Sequence, residues 1–515
     1  MKLSTLASTL MMLAGSIANG QPLSRWTPPP NDPVVKPKQG CPDLRSLTGY
    51  EFTLATATLQ PATPEAPEHC RVSGQVQPEV RFEVNLPTAW NRRFYQFGNG
   101  GYAGESFESA PRIGQRNLAL RHGFAVASHN TGHDAATEPL GTFAVNRQKL
   151  FDYAFRSLHV TATTAKKLIQ SYYGMAPARS YHIGCSTGGR QSLILAQRFP
   201  EDFDGILVGA PVLDFTGTMT SYARMIKALA VAPIPSAKLK TLAASVYRQC
   251  DSKDGLADGL IDDPRRCGFR PSEHVPVCKG DIDNAECFTP KQIETLEAIY
   301  GDVVSQGKRI FPGWPVGAEI EASPTGRSGW LPWLVRDDGP TISFNFAETF
   351  FRHMAFSDPK YEVRNFDLER DPQRLEWIHQ VLDATDPDLS RFRDRSGRMI
   401  MYYGWADPAL NARMGVEYYE KVLERMGGTT TEFFRLFMVP GMFHCSGGVG
   451  CGNFDPLTPL VRWVEQGSAP ATIEAAQMRE GKTVRTRPLC VYPEVAKYKG
   501  SGSIDDAANF ACGKT

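Results

Sequence analysis

Two short motifs each place a cysteine beside a residue able to do ester chemistry: Cys185-Ser186 in GCSTGG and His444-Cys445 in PGMFHCSGG. A serine hydroxyl becomes a nucleophile when an imidazole takes its proton, which requires the two groups within roughly 2.6–3.2 Å. A disulfide between Cys185 and Cys445 would hold its Cα atoms about 5.5–6 Å apart and bring both loops into register. Asp407, in YYGWADP, supplies the third group this chemistry needs. A buried carboxylate there fixes the imidazole tautomer and stabilises the imidazolium that forms.

GCSTG fits the G-x-S-x-G elbow, a strand-to-helix turn sharp enough to favour glycine at its flanks. An apolar stretch precedes it and a helical pattern follows. Asp407 and His444 each lie just beyond a predicted strand, and the order Ser…Asp…His is that of the α/β-hydrolase fold. The tetrahedral oxyanion of acyl transfer needs two N–H donors. Thr187 N–H is one by position; a glycine of GNGG, Gly101 in the first place, is the other, although GNGG also reads as an ordinary tight turn.

The elements that must position these groups alternate. Strands are expected at 82–86, 93–97, 123–128, 181–183 and 203–208, and helices at 151–173 and 191–198. This predicts an α/β fold with a mostly parallel sheet covered by helices. After about residue 213 the alternation stops and aromatic clusters such as GWLPWLV and ETFFRHMAF take over. Thr289 and Pro290 open a helix, TPKQIETLEAIY, with threonine as cap and proline at its first position. The sheet resumes at 399–403, followed by a helix near 410–426 and a strand at 433–439. The expected organisation is a catalytic domain from 21–212 and 389–515 with an inserted lid, 213–388. Asp386 and Asp388 precede a strand, the wrong end for a triad, and Glu432 reads as structural.

At 515 residues the chain is too long for one ordinary core. Its net charge of +1 and the lack of a basic run argue against nucleic acid or an anionic membrane as partner. Residues 1–20 read as a signal peptide: Lys2, an apolar stretch over 3–17, then small residues. Eleven cysteines in an exported chain point to disulfides. Spacing suggests Cys41–Cys70, Cys250–Cys267, Cys278–Cys287 and Cys490–Cys512, with Cys185–Cys445 as the long-range link. Cys451 is left over and competes for Cys445's partner. No N-x-S/T sequon occurs, which leans towards a bacterial periplasmic or extracellular protein.

The run DSKDGLADGLIDD holds five aspartates in thirteen residues inside the Cys250–Cys267 bracket. Calcium favours six to eight hard oxygens, and Asp251, Asp254 and Asp258 could converge with the carbonyls of Leu256 and Leu260. A solvated acidic loop fits the spacing equally well. His129 and His133, in HNTGHD, lack a third ligand and read as loop hydrogen-bonders.

On GNGGYAG, GCSTGGRQ, YYGWADP and PGMFHCSGG, the chain from about Cys41 onward resembles the tannase and feruloyl esterase family, which includes terephthalate half-ester hydrolases. The resemblance implies an α/β-hydrolase core with a lid, a Cys185–Cys445 clamp, and structural calcium held in the lid by Asp251, Asp254, Asp258 and the carbonyls of Leu256 and Leu260. No organic cofactor is implied. The expected function is a secreted serine esterase acting on small esters of aromatic or phenolic carboxylic acids through an acyl-enzyme on Ser186. A general carboxylesterase or acyltransferase could use the same triad, whereas a silent binding module has no need to keep all three residues. Trp330, Trp333, Phe350, Phe351 and Phe356 are candidate walls for the acyl group.

Overall fold

The computed structural model describes residues 32–320, 323 and 329–514, so the signal peptide read at 1–20 lies outside the described residues. Nine strands form one sheet: β1 (Phe52–Gln60), β2 (His69–Val76), β3 (Val80–Pro87), β4 (Arg93–Phe97), β5 (Ala125–His129), β6 (Arg179–Cys185), β7 (Gly205–Gly209), β8 (Arg398–Gly404) and β9 (Phe434–Val439). Their spatial order is β1-β2-β3-β5-β4-β6-β7-β8-β9. The six strands from β5 to β9 in that order run parallel. The first three form an antiparallel meander that joins the rest through β3 and β5.

The residues explain this division. β4 and β7 are buried along their whole length, as strands covered on both faces must be. β1 exposes every second residue over its first half, the mark of an edge strand with one wet face. Helices α1 (Ala110–Arg121), α2 (Ser157–Tyr173) and α3 (Thr187–Arg198) connect β4 to β5, β5 to β6 and β6 to β7. The chain leaves β4 towards the meander and returns to β6 on the opposite side of β4. That reversal opens a crevice at the carboxyl ends of β4 and β6, the place where open α/β sheets bind ligands.

The helix expected over 151–173 is interrupted. A short helix at Arg147–Phe151 and one π turn at Asp152–Arg156 precede α2. The carbonyls of Tyr153 and Ala154 accept from the Arg190 guanidinium, at 3.3 and 3.0 Å, which favours a widened turn over a regular ladder.

Between β7 and β8 the described residues add no strand to the large sheet. They build helices, among them α4 (Phe215–Val231), and one small hairpin, Val303–Ser305 with Lys308–Phe311. The helix at Pro290–Tyr300 carries a full capping box, with Thr289 Oγ1 accepting from Gln292 N–H and Gln292 Oε1 accepting from Thr289 N–H. The two ends of this segment are tied together: Ala384 N–H donates to Leu213 O at 2.8 Å, and the Asp383 carboxylate accepts from the N–H groups of Phe215 and Thr216. Beyond β9, helix α6 (Leu457–Gln466) covers the sheet, after α5 (Ala412–Met426) has joined β8 to β9. Two further hairpins complete the chain. Among the described residues no helix is long and apolar enough to cross a membrane.

Candidate active site

Ser186 stands between β6 and α3 with φ 65° and ψ −124°, a left-handed conformation costly for a residue bearing a side chain. Two constraints keep it there. Its N–H donates to Gly209 O at 3.0 Å, and a Cβ on Gly184 would lie 2.2 Å from Gly188 O. Only glycine permits so close an approach of strand and helix. Thr187 heads α3, so its N–H lacks an intrahelical acceptor and faces outward at the positive end of the helix.

Asp407 and His444 meet at the ends of neighbouring strands. His444 Nδ1 lies 2.8 Å from Asp407 Oδ2, and the aspartate is buried. Its other oxygen accepts from the N–H groups of Ala409 and Leu410, at 2.8 and 2.9 Å. Three hydrogen bonds thus fix the carboxylate in one orientation and leave Nε2 of the ring for the cavity. Trp333 meets the imidazole edge to face at 5.7 Å.

The GNGG loop after β4 is fixed against α3 by side chains of GCSTGGRQ. Gln191 Oε1 accepts from Asn99 N–H at 2.9 Å, and Gln191 Nε2 donates to Asn99 Oδ1 at 3.2 Å. Gly101 has φ 50°, and its carbonyl accepts from the hydroxyls of Tyr153 and Thr187. Gly100 N–H is taken by Glu105 at 3.2 Å, whereas no acceptor among the described residues takes Gly101 N–H.

Ser186, Thr187, Gly101, His444 and the Cys185–Cys445 disulfide all line one cavity of about 380 Å³. Leu331, Pro332, Trp333 and Phe346 cover it from the β7–β8 segment, while Val212, Phe215, Met219 and Tyr222 form a second apolar wall. Of the aromatic residues singled out as acyl-group walls, Trp333 is placed here. Trp330, Phe350 and Phe351 are buried in the core, and Phe356 packs on Phe351. Phe346, one turn before the ETFFRHMAF pair, takes the place expected of those two.

Residues 65–513 match the family model described as tannase and feruloyl esterase. The chain belongs to that family. The mono(2-hydroxyethyl) terephthalate hydrolase of Piscinibacter sakaiensis is 34% identical over 88% of this chain and 86% of its own length. A probable feruloyl esterase B-2 of Aspergillus terreus is 30% identical over 86% of each. The crystal structure of feruloyl esterase B from Aspergillus oryzae superposes with a TM-score of 0.80 at 25% identity, covering 92% of this chain and all of that one. The protein is a carboxylic ester hydrolase of α/β architecture.

In this tannase-family chain four disulfides join the pairs that spacing suggested, the fifth is the expected Cys185–Cys445 link, and Cys451 is the one free cysteine among the described residues. Cys451 is buried, with its thiol pushed up to about 12 by burial. The acidic loop lies apart from the catalytic cavity. Asp251 Oδ1 accepts from the N–H groups of Asp258 and Gly259, Asp254 accepts from Leu256 and Asp262, and Asp258 also pairs with Arg487. Asp262 is pushed up to about 7, first by burial and then by the carboxylates of Asp254 and Asp258 beside it. Among the described residues no three His, Cys, Asp or Glu side chains form a ready-made metal cluster, so a cation there depends on the loop carbonyls. The donors are all hard oxygens and the acidic groups repel one another, which is the chemistry a calcium ion suits.

His129 and His133 are buried beside the GNGG loop. Burial holds His129 far below its ordinary value and pushes His133, stacked on Phe143 at 3.9 Å, down to about 4. Both rings pack locally, and His129 Nδ1 accepts from Thr131 N–H at 3.3 Å. Sequence reading did not assign the roles of Arg190, Gln191 and Tyr153, which hold the nucleophile turn and the glycine loop together. The RQ pair following GCSTGG was the available signal, because long polar side chains inside a buried helix need named partners.

Proposed function

We propose that the protein is a secreted serine esterase that hydrolyses esters of aromatic carboxylic acids through an acyl-enzyme on Ser186. The observation that carries this reading is the 2.8 Å bond between His444 and Asp407, with His444 and Ser186 on the wall of one cavity and a disulfide between their neighbours. Ser186 Oγ attacks the ester carbonyl while its proton passes to His444 Nε2. Asp407 stabilises the imidazolium. The oxyanion accepts from the N–H groups of Thr187 and Gly101, each such donor contributing about 3 kcal/mol. Collapse expels the alcohol, which takes the proton from Nε2, and water then repeats the sequence on the acyl-serine.

The aromatic preference rests on the cavity wall. Trp333, Phe346 and Phe215 surround a space with room for a substituted ring, and two relatives are named for esters of such acids, terephthalate and ferulate. In this reading the segment 213–388 is the lid that excludes water from the acyl group. Calcium held by Asp251, Asp254, Asp258 and the carbonyls of Leu256 and Leu260 braces the lid and takes no part in the chemistry. Five disulfides suit an oxidising compartment outside the cytosol. The test is Ser186→Ala assayed on methyl ferulate, methyl gallate and a terephthalate half-ester: loss of all turnover with an unchanged melting curve is expected, and retained turnover removes the proposed nucleophile.

A further inference from the structure

The carbonyl of Gly101 is held by two hydroxyls that take no part in the proton transfers of acyl exchange. Tyr153 O–H donates to Gly101 O at 3.1 Å, and Thr187 Oγ1 donates to the same oxygen at 2.5 Å. Both side chains are buried, and a carbonyl has two lone pairs to offer them. Thr187 is also the residue whose N–H opens α3 beside Ser186. Tyr153 stands on the π turn before α2, where Arg190 fixes it: the guanidinium donates to Tyr153 O and Ala154 O and lies 5.1 Å from the phenol ring. On the other side of Gly101, Gly100 O accepts from Ala103 N–H at 2.9 Å. Gly101, at φ 50°, is thus the pivot between two peptide planes, each pinned through its carbonyl. A glycine is the residue that turns about such a pivot at least steric cost, so the direction of its N–H depends on what holds the two planes.

We propose that the Tyr153 and Thr187 hydroxyls are positioning groups for the oxyanion hole, keeping the Gly101 N–H aimed at the point that the Thr187 N–H also faces. Thr187 thereby ties the two donors to each other: its main chain supplies one, and its side chain orients the residue that supplies the other. Neither hydroxyl touches the substrate, because both protons are engaged by Gly101 O. A donor fixed before charge develops needs no reorganisation when it does, so the effect falls on the transition state and not on binding of the planar ester. This rests on the serine esterase reading above and names what sets the geometry of its oxyanion site.

The test measures kcat and KM for methyl ferulate in the full-length enzyme and in Tyr153→Phe, Thr187→Val and Thr187→Ser. It also measures inhibition by an aryl trifluoromethyl ketone, whose adduct on Ser186 carries an oxyanion, and by ferulate, which is planar. Tyr153→Phe and Thr187→Val keep the shape and remove one hydroxyl each. Each should lower kcat on the order of tenfold with KM nearly unchanged, a part of the roughly 10²–10³ that loss of a whole oxyanion donor costs. The ketone should lose affinity by the same factor as kcat/KM, while inhibition by ferulate stays as it was. Thr187→Ser, which puts the hydroxyl back, should recover most of the loss. Unchanged kcat and ketone affinity in both variants overturns the proposal, and so does a loss shared equally by the ketone and ferulate, which is the mark of general packing. Should Tyr153→Phe fail to fold, the contrast between valine and serine at position 187 decides the question. No turnover by the wild type, or turnover that survives Ser186→Ala, overturns the esterase reading instead.

Discussion

Cys185 and Cys445 hold their Cα atoms 6.0 Å apart across 260 residues of chain, and each immediately adjoins a residue of the cavity wall. The link joins the last residue of β6 to the loop after β9, so the two strands between them in the sheet do not alone set the distance from serine to imidazole. Closing a loop of this length removes roughly 5–6 kcal/mol of denatured-state freedom by the chain-entropy model. The double variant Cys185→Ala, Cys445→Ala should melt several degrees lower by calorimetry. Its kcat should fall at least tenfold with a smaller change in KM, because the loss is one of alignment.

Asp407→Asn tests the orientation of the ring. Asparagine keeps the shape and can still accept from Ala409 and Leu410, but it no longer holds His444 as the tautomer with hydrogen on Nδ1. A loss of about 10³–10⁴ in kcat is expected, with the melting curve nearly unchanged. A loss below tenfold would show that another group orients the imidazole.

Asp214 caps α4 by accepting from Gly217 N–H at 2.8 Å, at the point where the chain enters the 213–388 segment. Burial first and the Asp383 carboxylate second push its carboxyl up to about 7. The sign follows from proton counting. Between the unfolded value near 4 and the folded value near 7 the folded state keeps a proton that the unfolded state has lost, so stability falls as pH rises through this window. Asp214→Asn keeps the cap oxygen and removes the titration. Melting temperature measured from pH 4 to pH 8 should decline less steeply in the variant, which should exceed the wild type at pH 8. Parallel curves would assign the slope to other groups.

Removal of calcium by a chelator is expected to lower the melting temperature while leaving the initial rate of ester cleavage below that transition nearly unchanged. The affected loop, 251–263, lies outside the catalytic cavity. Re-addition of calcium, and not of magnesium, should restore the melt, since seven or so irregular oxygen ligands suit the larger ion. An identical melt with and without chelator would leave the acidic loop as solvated charge.

The catalytic strands and their order were legible because their signals are local. GILV within β7 and MIMYY within β8 are uninterrupted apolar runs, and the turns that follow carry the chemistry-bearing residues. β1 and β2 were not foreseen: FTLATATLQ and HCRVSGQV contain polar residues at many positions, and they pair across a loop of eight residues, with β2 joined in turn to β3. The same limit applies to the π turn before α2, where a guanidinium from another helix takes two carbonyls.

The residue types and their spacing determined by themselves that a serine, an aspartate and a histidine stand at strand ends, and which cysteines could pair locally, because turns, strands and short loop closures are set by neighbours in the chain. Which aromatic side chains enclose the substrate was decided only by the tertiary structure. Phe346 faces the cavity while Phe350 and Phe351 fill the core, a choice made by the rotation of one short helix packed on α4. Which buried polar atoms find partners was decided there too, as for Arg112 Nη1 and Gln115 Oε1, which have none among the described residues, since satisfaction depends on every element that surrounds the group.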